Sequence, residues 1–299
     1  MKKAHTATPA PPLFTKIVRR LLRKIHQHFD WPIKHQYTNF FIVLPANHML
    51  PVYQKAHPKY DRFLPHLAKY AISSDTIVDI GANVGDTLAG MAEQNPTSNY
   101  ICIEPDAFFY RHLEENIERI RSSIKDLKIR TIQALVGKNI SNVSLDGKGG
   151  TKHAVINING GIKSIPLDQI IFNLNSNIRI LKTDIDGYDY DALDSSMAVI
   201  EAHKPIIFFE CEYDFEYQKS GYSKTLKSLE SAGYCDWTVF DNFGEVVIRT
   251  NDIGIITQLM NYVWQQNIGQ ATRTIHYFDI LTVQQNDSAL IDKVLSEYN

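Results

Sequence analysis

From residue 76 onward, short apolar runs alternate with longer stretches whose apolar residues recur at helical spacing. This alternation is typical of βαβ units, in which helices connect parallel strands. The predicted strands are TIVDI (76–80), NYICIE (99–104), IRTIQALVG (129–137), IRILKTDI (178–185) and PIIFFECE (205–212), and predicted helices cover 106–124, 189–203 and 222–234. The pattern therefore predicts an α/β domain with a mostly parallel central sheet and helices on both faces.

Two further segments follow a different pattern. Residues 141–162 are rich in Gly, Asn and Ser with short alternating stretches, which favours a hairpin or a mobile insertion over a helix. Residues 236–250 and 277–285 predict antiparallel strands that close one edge of the sheet.

The N-terminal region predicts an amphipathic helix over residues 14–29. One face is apolar, and the other carries Lys16, Arg19, Arg20, Arg23 and Lys24. Such a basic face is typical of a helix on an anionic membrane surface, but also of a helix packed on its own domain. Both interpretations stay open. We expect an N-terminal extension over 1–40 and one domain over 41–299.

Composition narrows the class of protein. The 299 residues are 44% hydrophobic and 21% charged, with a formal net charge of −2, which is typical of a soluble globular protein and argues against a globally basic nucleic-acid binder. Three scattered cysteines predict neither a disulfide framework nor a zinc site. With no signal-peptide or membrane-spanning pattern, we expect a cytoplasmic protein, with peripheral contact at the inner membrane face as an open alternative.

The turn VDIGANVGDT after the first predicted strand is a candidate cofactor site. Glycine permits positive φ, and the start of the following helix offers free N–H groups. A dinucleotide site favours G-x-G-x-x-G, whereas here Asn83 replaces the middle glycine and Asp86 adds an anion after Gly85. The turn therefore favours a cationic or zwitterionic ligand such as S-adenosylmethionine. Glu104, at the end of the next strand, is placed to bind ribose hydroxyls.

A second set of charged residues lies in ILKTDIDGYDYDAL. Lys182 and Asp184 fall on the same side of a predicted central strand, and Asp186 follows at its end. Glu210 and Glu212 end the next strand, so they reach the same edge of the sheet, where open α/β sheets bind ligands. A purely structural ion pair between Lys182 and an aspartate is the alternative.

Together these stretches resemble the FkbM family of S-adenosylmethionine-dependent methyltransferases. The resemblance runs from VLPANHMLPVYQKAHPKYDRFLPHLAKY through VDIGANVGDT, IEPD, IQALVG, SIPLDQI and ILKTDIDGYDYDAL to PIIFFECEYD, and covers most of residues 40–285. The family usually has K-x-D-x-E-G-x-E, whereas this chain has Lys182, Asp184, Asp186, Gly187 and Asp189. Both glutamates are shortened to aspartate.

The resemblance implies a Rossmann-like class I methyltransferase fold and O-methylation of hydroxyls on sugars, glycolipids or related natural products. The cofactor-binding residues expected from it are Asp79, Gly81, Ala82, Asn83, Gly85, Asp86, Thr87, Glu104, Pro105 and Asp106, with Gln133 and Ala134 beside the adenine. We expect Asp184 beside the methionine end of the cofactor, Asp186 or Glu210 as the base or acceptor-orienting group, and Lys182 holding these acids.

Three other functions stay open at this stage. The carboxylates of Asp184, Asp186, Asp189, Glu210 and Glu212 are possible ligands for a divalent cation in a metal-assisted methyltransferase. An NAD-dependent oxidoreductase is disfavoured by the turn. The third is a catalytically degenerate methyltransferase fold that docks to a membrane or a partner through residues 14–29. For the acceptor, Trp237, Tyr213 and Tyr217 weakly favour a glycan, because aromatic faces suit sugar rings.

Overall fold

The computed structural model describes residues 31–138, 143–146, 153–156, 161–171, 174, 176–270 and 273–298. The strands are β1 Ile33–Gln36, β2 Phe41–Leu44, β3 Thr76–Ile80, β4 Asn99–Ile103, β5 Lys128–Ile132, β6 Leu135–Val136, β7 Val143–Asp146, β8 His153–Ile156, β9 Ser164–Ile165, β10 Ile178–Thr183, β11 Ile206–Glu212, β12 Tyr234–Asp241, β13 Val246–Thr250 and β14 Tyr277–Gln284. The helices are α1 Leu50–Ala56, α2 Phe63–Ala68, α3 Asp86–Gln94, α4 Ala107–Ser123, α5 Leu167–Ile170, α6 Asp189–Ser195, α7 Met197–His203, α8 Glu216–Ser231, α9 Ile253–Asn267 and α10 Ser288–Tyr298, with a 3₁₀ turn at Gln285–Asp287.

Eight strands form the central sheet in the order β13-β12-β14-β11-β10-β3-β4-β5. The strands β11, β10, β3, β4 and β5 run parallel to one another. β14 pairs antiparallel with both β11 and β12, and β13 pairs antiparallel with β12. The mostly parallel sheet with an antiparallel C-terminal edge is thus confirmed.

Helices cover both faces of this sheet, as predicted. On one face, Leu64 of α2, Leu88 of α3, Leu113 of α4 and Val294 of α10 pack into one buried cluster. On the other face, the apolar residues of α5 to α9 form a second cluster, which includes the fully buried Tyr222 of α8. Because β3 lies between these layers, all five of its residues are buried. The one charged side chain on β3, Asp79, is therefore held away from water.

Several element boundaries differ from those predicted. The third predicted strand splits into β5 and β6, and the predicted helix over 189–203 breaks at Ser196, whose hydroxyl donates to the Ala192 carbonyl at 2.7 Å. Helix α8 begins earlier than predicted because the Gln218 side chain accepts backbone N–H bonds from Asp214 and Phe215. Helix α9 was not predicted. β7 and β8 form the antiparallel hairpin that was one of two expectations for 141–162.

The N-terminal region is described only from residue 31. β1 pairs antiparallel with β2, so this hairpin joins residues on both sides of the domain boundary expected after residue 40, which stays a prediction. The amphipathic helix predicted over 14–29 lies outside the described residues. Among the described helices, none is long and apolar enough to cross a membrane.

Candidate active site

The turn between β3 and α3 has the backbone conformation that its glycines predict. Gly81 and Gly85 have φ of 79° and 84°, and Asn83 also has positive φ, at 47°. A Cβ atom on Gly81 would lie 2.0 Å from the Asp184 carbonyl oxygen, so the loop after β10 packs directly on the turn. Only glycine fits at this position, because both the close contact and the left-handed conformation exclude a side chain.

Glu104, at the end of β4, holds the turn from the other side. Its carboxylate accepts backbone N–H bonds from Asn83 at 2.9 Å and from Asp106 at 2.8 Å. Burial raises the pKa of Glu104 to about 7, although the N–H bonds from Asp106 and Asn83 lower it. A carboxylate has about four acceptor positions, so Glu104 can still bind a ligand hydroxyl.

Lys182 on β10 lies under the turn and is buried. Its Nζ is 2.8 Å from Asp79 Oδ1 on the neighbouring strand β3, and 3.5 Å from Asp184 Oδ2. It also donates to the Gly81 carbonyl at 2.9 Å. Burial alone would lower the pKa of Lys182, but the charges of Asp79 and Asp184 raise it well above its ordinary value. Lys182 therefore stays charged and ties the turn to β3 and β10.

The loop after β10 presents Asp186 at the edge of the sheet. Asp186 and Gly187 have φ of 52° and 84°, so the chain turns sharply here. Asp189 fixes the loop, because its carboxylate accepts bonds from the Thr183 hydroxyl and, at 3.2 Å, from the Ile185 N–H. The shorter aspartate at position 189 thus binds its own loop. Burial, followed by the charge of Asp184, raises the pKa of Asp186 to about 7.

Three carboxylates form a row across this edge of the sheet, which we call the acidic row: Asp184, Glu210 and Asp279. Lys182 pairs with Phe208 in the parallel register, which places Asp184 beside Glu210 two residues further on. Glu210 is directly opposite Asp279 on β14. Burial raises the pKa of Glu210 and of Asp279 well above the ordinary range, and the charge of Asp184 adds to both shifts.

The acidic row borders a cavity of about 940 Å³, the large cavity. Its wall opposite the sheet comes from residues 47–50, 53 and 57–64, and its remaining side comes from 240–244 and 273–279. A second, narrow cleft of about 30 Å³ lies among Glu104, Pro105, Leu145 and Ile185. Both spaces are lined by Gly81, Asn83, Asp184 and Asp186, so they meet at the turn and the loop after β10.

The structure brings most of the predicted site residues together. The large cavity is lined by Gly81, Asn83, Asp86, Thr87, Lys182, Asp184, Asp186 and Glu210, and the narrow cleft adds Glu104 and Pro105. Asp106 caps α4 by accepting N–H bonds from Phe108 and Phe109. Gln133 and Ala134 follow β5 and line neither space, so a place beside the adenine stays a prediction.

The aromatic residues proposed to face an acceptor lie elsewhere. Trp237 is fully buried in the core, and Tyr213 is buried in the same apolar cluster. Tyr217 is exposed on α8, and none of the three lines the large cavity. The aromatic lining comes instead from Tyr53, Tyr60, Phe63, Phe208, Phe240, Phe243 and Tyr277.

Sequence reasoning missed Asp61 and Asp279 as site residues. Asp61 has positive φ, at 53°, and accepts a long bond of 3.4 Å from the Thr87 hydroxyl. Burial and the charge of Asp86 raise the pKa of Asp61 well above its ordinary value. A charged residue on an otherwise apolar strand, YFDILTV, was the available signal for Asp279.

The residues present fit S-adenosylmethionine better than a dinucleotide. Carboxylates at Asp184 and Asp186 suit the amine and sulfonium, and Glu104 at the narrow cleft suits the ribose. Asp86 in the first turn of α3 would repel a pyrophosphate at that helix start. Among the described residues, no group of three or more His, Cys, Asp or Glu side chains has the arrangement of a metal site.

Comparisons with known proteins give a family. The FkbM methyltransferase domain matches residues 79–235, and no curated protein sequence gives a significant match. Among solved structures, the chain is similar to an FkbM methyltransferase from Methylobacillus flagellatus (15% identity, TM-score 0.40, covering 89% of this chain and 60% of that one). It is also similar to a putative transferase from Pyrococcus horikoshii (13% identity, TM-score 0.45, covering 86% of this chain and 73% of that one). A third similar structure is TYW2 from M. jannaschii in complex with AdoMet (12% identity, TM-score 0.42, covering 84% of each chain).

The family match spans more than half of the chain and includes the turn after β3, Glu104 and the loop after β10. This protein therefore belongs to the FkbM methyltransferase family and is an S-adenosylmethionine-dependent methyltransferase.

Proposed function

We propose that this methyltransferase acts on a hydroxyl group of a sugar, a glycolipid or a related natural product. The observation that carries the proposal is the acidic row, which borders a cavity of about 940 Å³ adjoining the turn after β3. A cavity of this size accommodates an acceptor of one or more rings. The carboxylates at its edge are suited to accept hydrogen bonds from hydroxyls and to take a proton from one of them.

S-adenosylmethionine supplies an electrophilic methyl group on a sulfonium. In the proposed arrangement, the turn holds the cofactor between Glu104 and the loop after β10, with the sulfonium toward Asp184. An acceptor in the large cavity would be oriented toward the methyl group by the carboxylates at the edge of that cavity. One of these carboxylates would take the hydroxyl proton as the methyl group passes from sulfur to the acceptor oxygen.

Asp186 or Glu210 is the proposed proton acceptor. A general base works best when its pKa lies near the working pH. Burial and the charge of Asp184 raise the pKa of Asp186 to about 7, which meets this condition in the protein alone. A bound sulfonium would lower this pKa again, which keeps the carboxylate ionised and ready to orient the hydroxyl. Lys182 is proposed as a positioning residue, since it contacts Asp184 and the turn.

The first experiment is calorimetric titration of the purified full chain with S-adenosylmethionine and, separately, with NAD. We expect micromolar binding of S-adenosylmethionine alone, weakened by Asp79→Ala and by Glu104→Ala. Methyl transfer to a panel of sugars and lipid-linked sugars is then measured with and without EDTA. Loss of transfer with EDTA would favour the metal-assisted alternative, and NAD binding would support an oxidoreductase.

The non-catalytic alternative has a distinct result. A degenerate protein would bind neither ligand, and binding of residues 14–29 to anionic vesicles would then be the better indication of its role. A protein that binds S-adenosylmethionine tightly but transfers no methyl group to any hydroxyl acceptor would contradict the acceptor class and leave the cofactor assignment intact.

A further inference from the structure

The basic side chains of the large cavity are mostly paired with acids outside the acidic row. Lys182 pairs with Asp79 at 2.8 Å and reaches the acidic row only at Asp184, at 3.5 Å, and Lys59 pairs with Glu245 at 2.8 Å. Arg273 pairs with Asp214. Arg62 donates to the neutral side chain of Gln54 at 3.0 Å, and its charge lowers the pKa of Asp61, which lies outside the acidic row.

Among the described residues, no basic side chain forms an ion pair with Glu210 or Asp279 of the acidic row. Glu210 is only 5% exposed, yet its Oε1 has no hydrogen-bond partner among the described residues. It lies next to Glu212 on the same face of β11 and opposite Asp279 on β14. A buried acceptor without a partner is costly, and a cluster of like charges adds repulsion. Both costs would be removed by a donor that carries positive charge.

Aromatic rings line the same space. Tyr60 comes from the wall opposite the sheet, Phe243 comes from the 240–244 side, and Tyr277 comes from β14, two residues from Asp279. Aromatic faces attract organic cations, and carboxylates together with aromatic rings are a combination that favours ammonium groups over neutral or anionic ones. The lining therefore selects for the charge of the acceptor as well as for its shape.

We propose that the acceptor carries a positively charged amine, which binds between Glu210 and Asp279 while a nearby hydroxyl of the same molecule receives the methyl group. This inference rests on the proposed function and specifies its substrate class: amino sugars and amino alcohols rather than phosphorylated or carboxylated glycans.

The position of Asp279 separates this ammonium site from the cofactor. β14 lies two strands from β10, so Asp279 is about 10 Å from Asp184 across the sheet. A sulfonium beside Asp184 would neutralise that end of the acidic row only. The carboxyl groups of Glu210 and Asp279 would remain to bind a second cation, namely the acceptor.

The test is calorimetric titration of the full chain saturated with S-adenosylhomocysteine, the unreactive product. The ligands are D-glucosamine, its neutral relative N-acetyl-D-glucosamine, and the anion D-glucuronate. We expect D-glucosamine to bind about tenfold or more tightly than either relative, because a charge-assisted hydrogen bond is lost in both. Asp279→Asn, with Glu210→Gln as a second variant, should remove that preference without changing the affinity for S-adenosylhomocysteine.

Glu230→Gln is the matched control, because Glu230 is an exposed acid on α8 away from the cavity. It removes the same charge and should leave the preference intact. Equal or weaker binding of D-glucosamine, or no binding by a protein that does bind S-adenosylhomocysteine, would overturn the ammonium site. Failure to bind S-adenosylhomocysteine at all would instead count against the proposed function.

Discussion

Lys182 Nζ lies 2.8 Å from Asp79 Oδ1, and this buried pair joins β10 to β3 directly beneath the glycine turn. The two residues are 103 positions apart in the chain but adjacent in the sheet register. Because Lys182 also donates to the Gly81 carbonyl, the pair connects the stability of the sheet to the conformation of the candidate cofactor loop.

Replacing Lys182 with Met should therefore be more damaging than replacing both members of the pair. Lys182→Met leaves the Asp79 carboxylate buried without its cation, and removing one partner of a buried pair costs about 3–5 kcal/mol. We expect this loss in the free energy of unfolding by urea. The double variant Lys182→Met/Asp79→Asn should lose less than the single variant. An equal or larger loss in the double variant would show that the pair is not coupled.

Gly81→Ala should abolish the turn. The substitution places a Cβ 2.0 Å from the Asp184 carbonyl oxygen at a φ of 79°, so the free energy of unfolding should fall by more than about 2 kcal/mol. Binding of S-adenosylmethionine should weaken at the same time, because the loop after β10 must move. Gly161→Ala is the control: a Cβ there meets nothing within 4 Å, and stability should change by less than about 0.5 kcal/mol.

Local sequence patterns predicted much of this fold, but they could not predict contacts between residues that are distant in the chain. The strand TIVDI was predicted with its observed bounds, because a short run rich in β-branched residues directly before a glycine turn indicates a buried strand. The period of two also placed Lys182 and Asp184 on one face. The identity of the partner was beyond such patterns, since Asp79 meets Lys182 only through the order in which strands that are distant in sequence pair.

The acidic row shows the same limit more strongly. Asp184 and Glu210 were expected at the same edge of the sheet, because both lie at the carboxyl ends of parallel strands. Asp279 was not, since β14 inserts antiparallel between β11 and β12, and no local period indicates that insertion. Asp61 lies between α1 and α2, where the sequence supplied only a resemblance to the family. Residues that approach a site from outside the βαβ units are thus the ones that sequence reasoning missed.

Glu104→Gln should weaken cofactor binding more than it changes stability. The amide keeps one oxygen for the N–H of Asn83 or Asp106, but it loses the charge and one acceptor, so affinity for S-adenosylmethionine should fall about tenfold. Asp106→Ala is the contrasting variant, because Asp106 caps α4. It should cost about 1 kcal/mol in urea unfolding, with little change in affinity. A large loss of affinity in Asp106→Ala would instead support its predicted cofactor role.

Stability should decrease as the pH rises from about 4 to 8. Burial raises the pKa of Asp189 and Asp186 to about 7 and that of Glu212 to about 8, so between pH 4 and 7 the folded state holds protons that the unfolded chain releases. The stabilisation from each group is complete below its unfolded pKa and is lost as the pH rises through the folded value. Between its unfolded and folded pKa, each group lowers the free energy of unfolding by about 1.4 kcal/mol per pH unit.

Asp189→Asn isolates one of these groups. The amide oxygen can still accept the bonds from the Thr183 hydroxyl and the Ile185 N–H, but the side chain no longer titrates. Urea unfolding of this variant at a series of pH values should therefore give a shallower fall than in the unmodified protein, with the variant the more stable of the two at pH 9. A steeper fall, or parallel curves, would mean that the Asp189 carboxylate is ionised at neutral pH despite its burial.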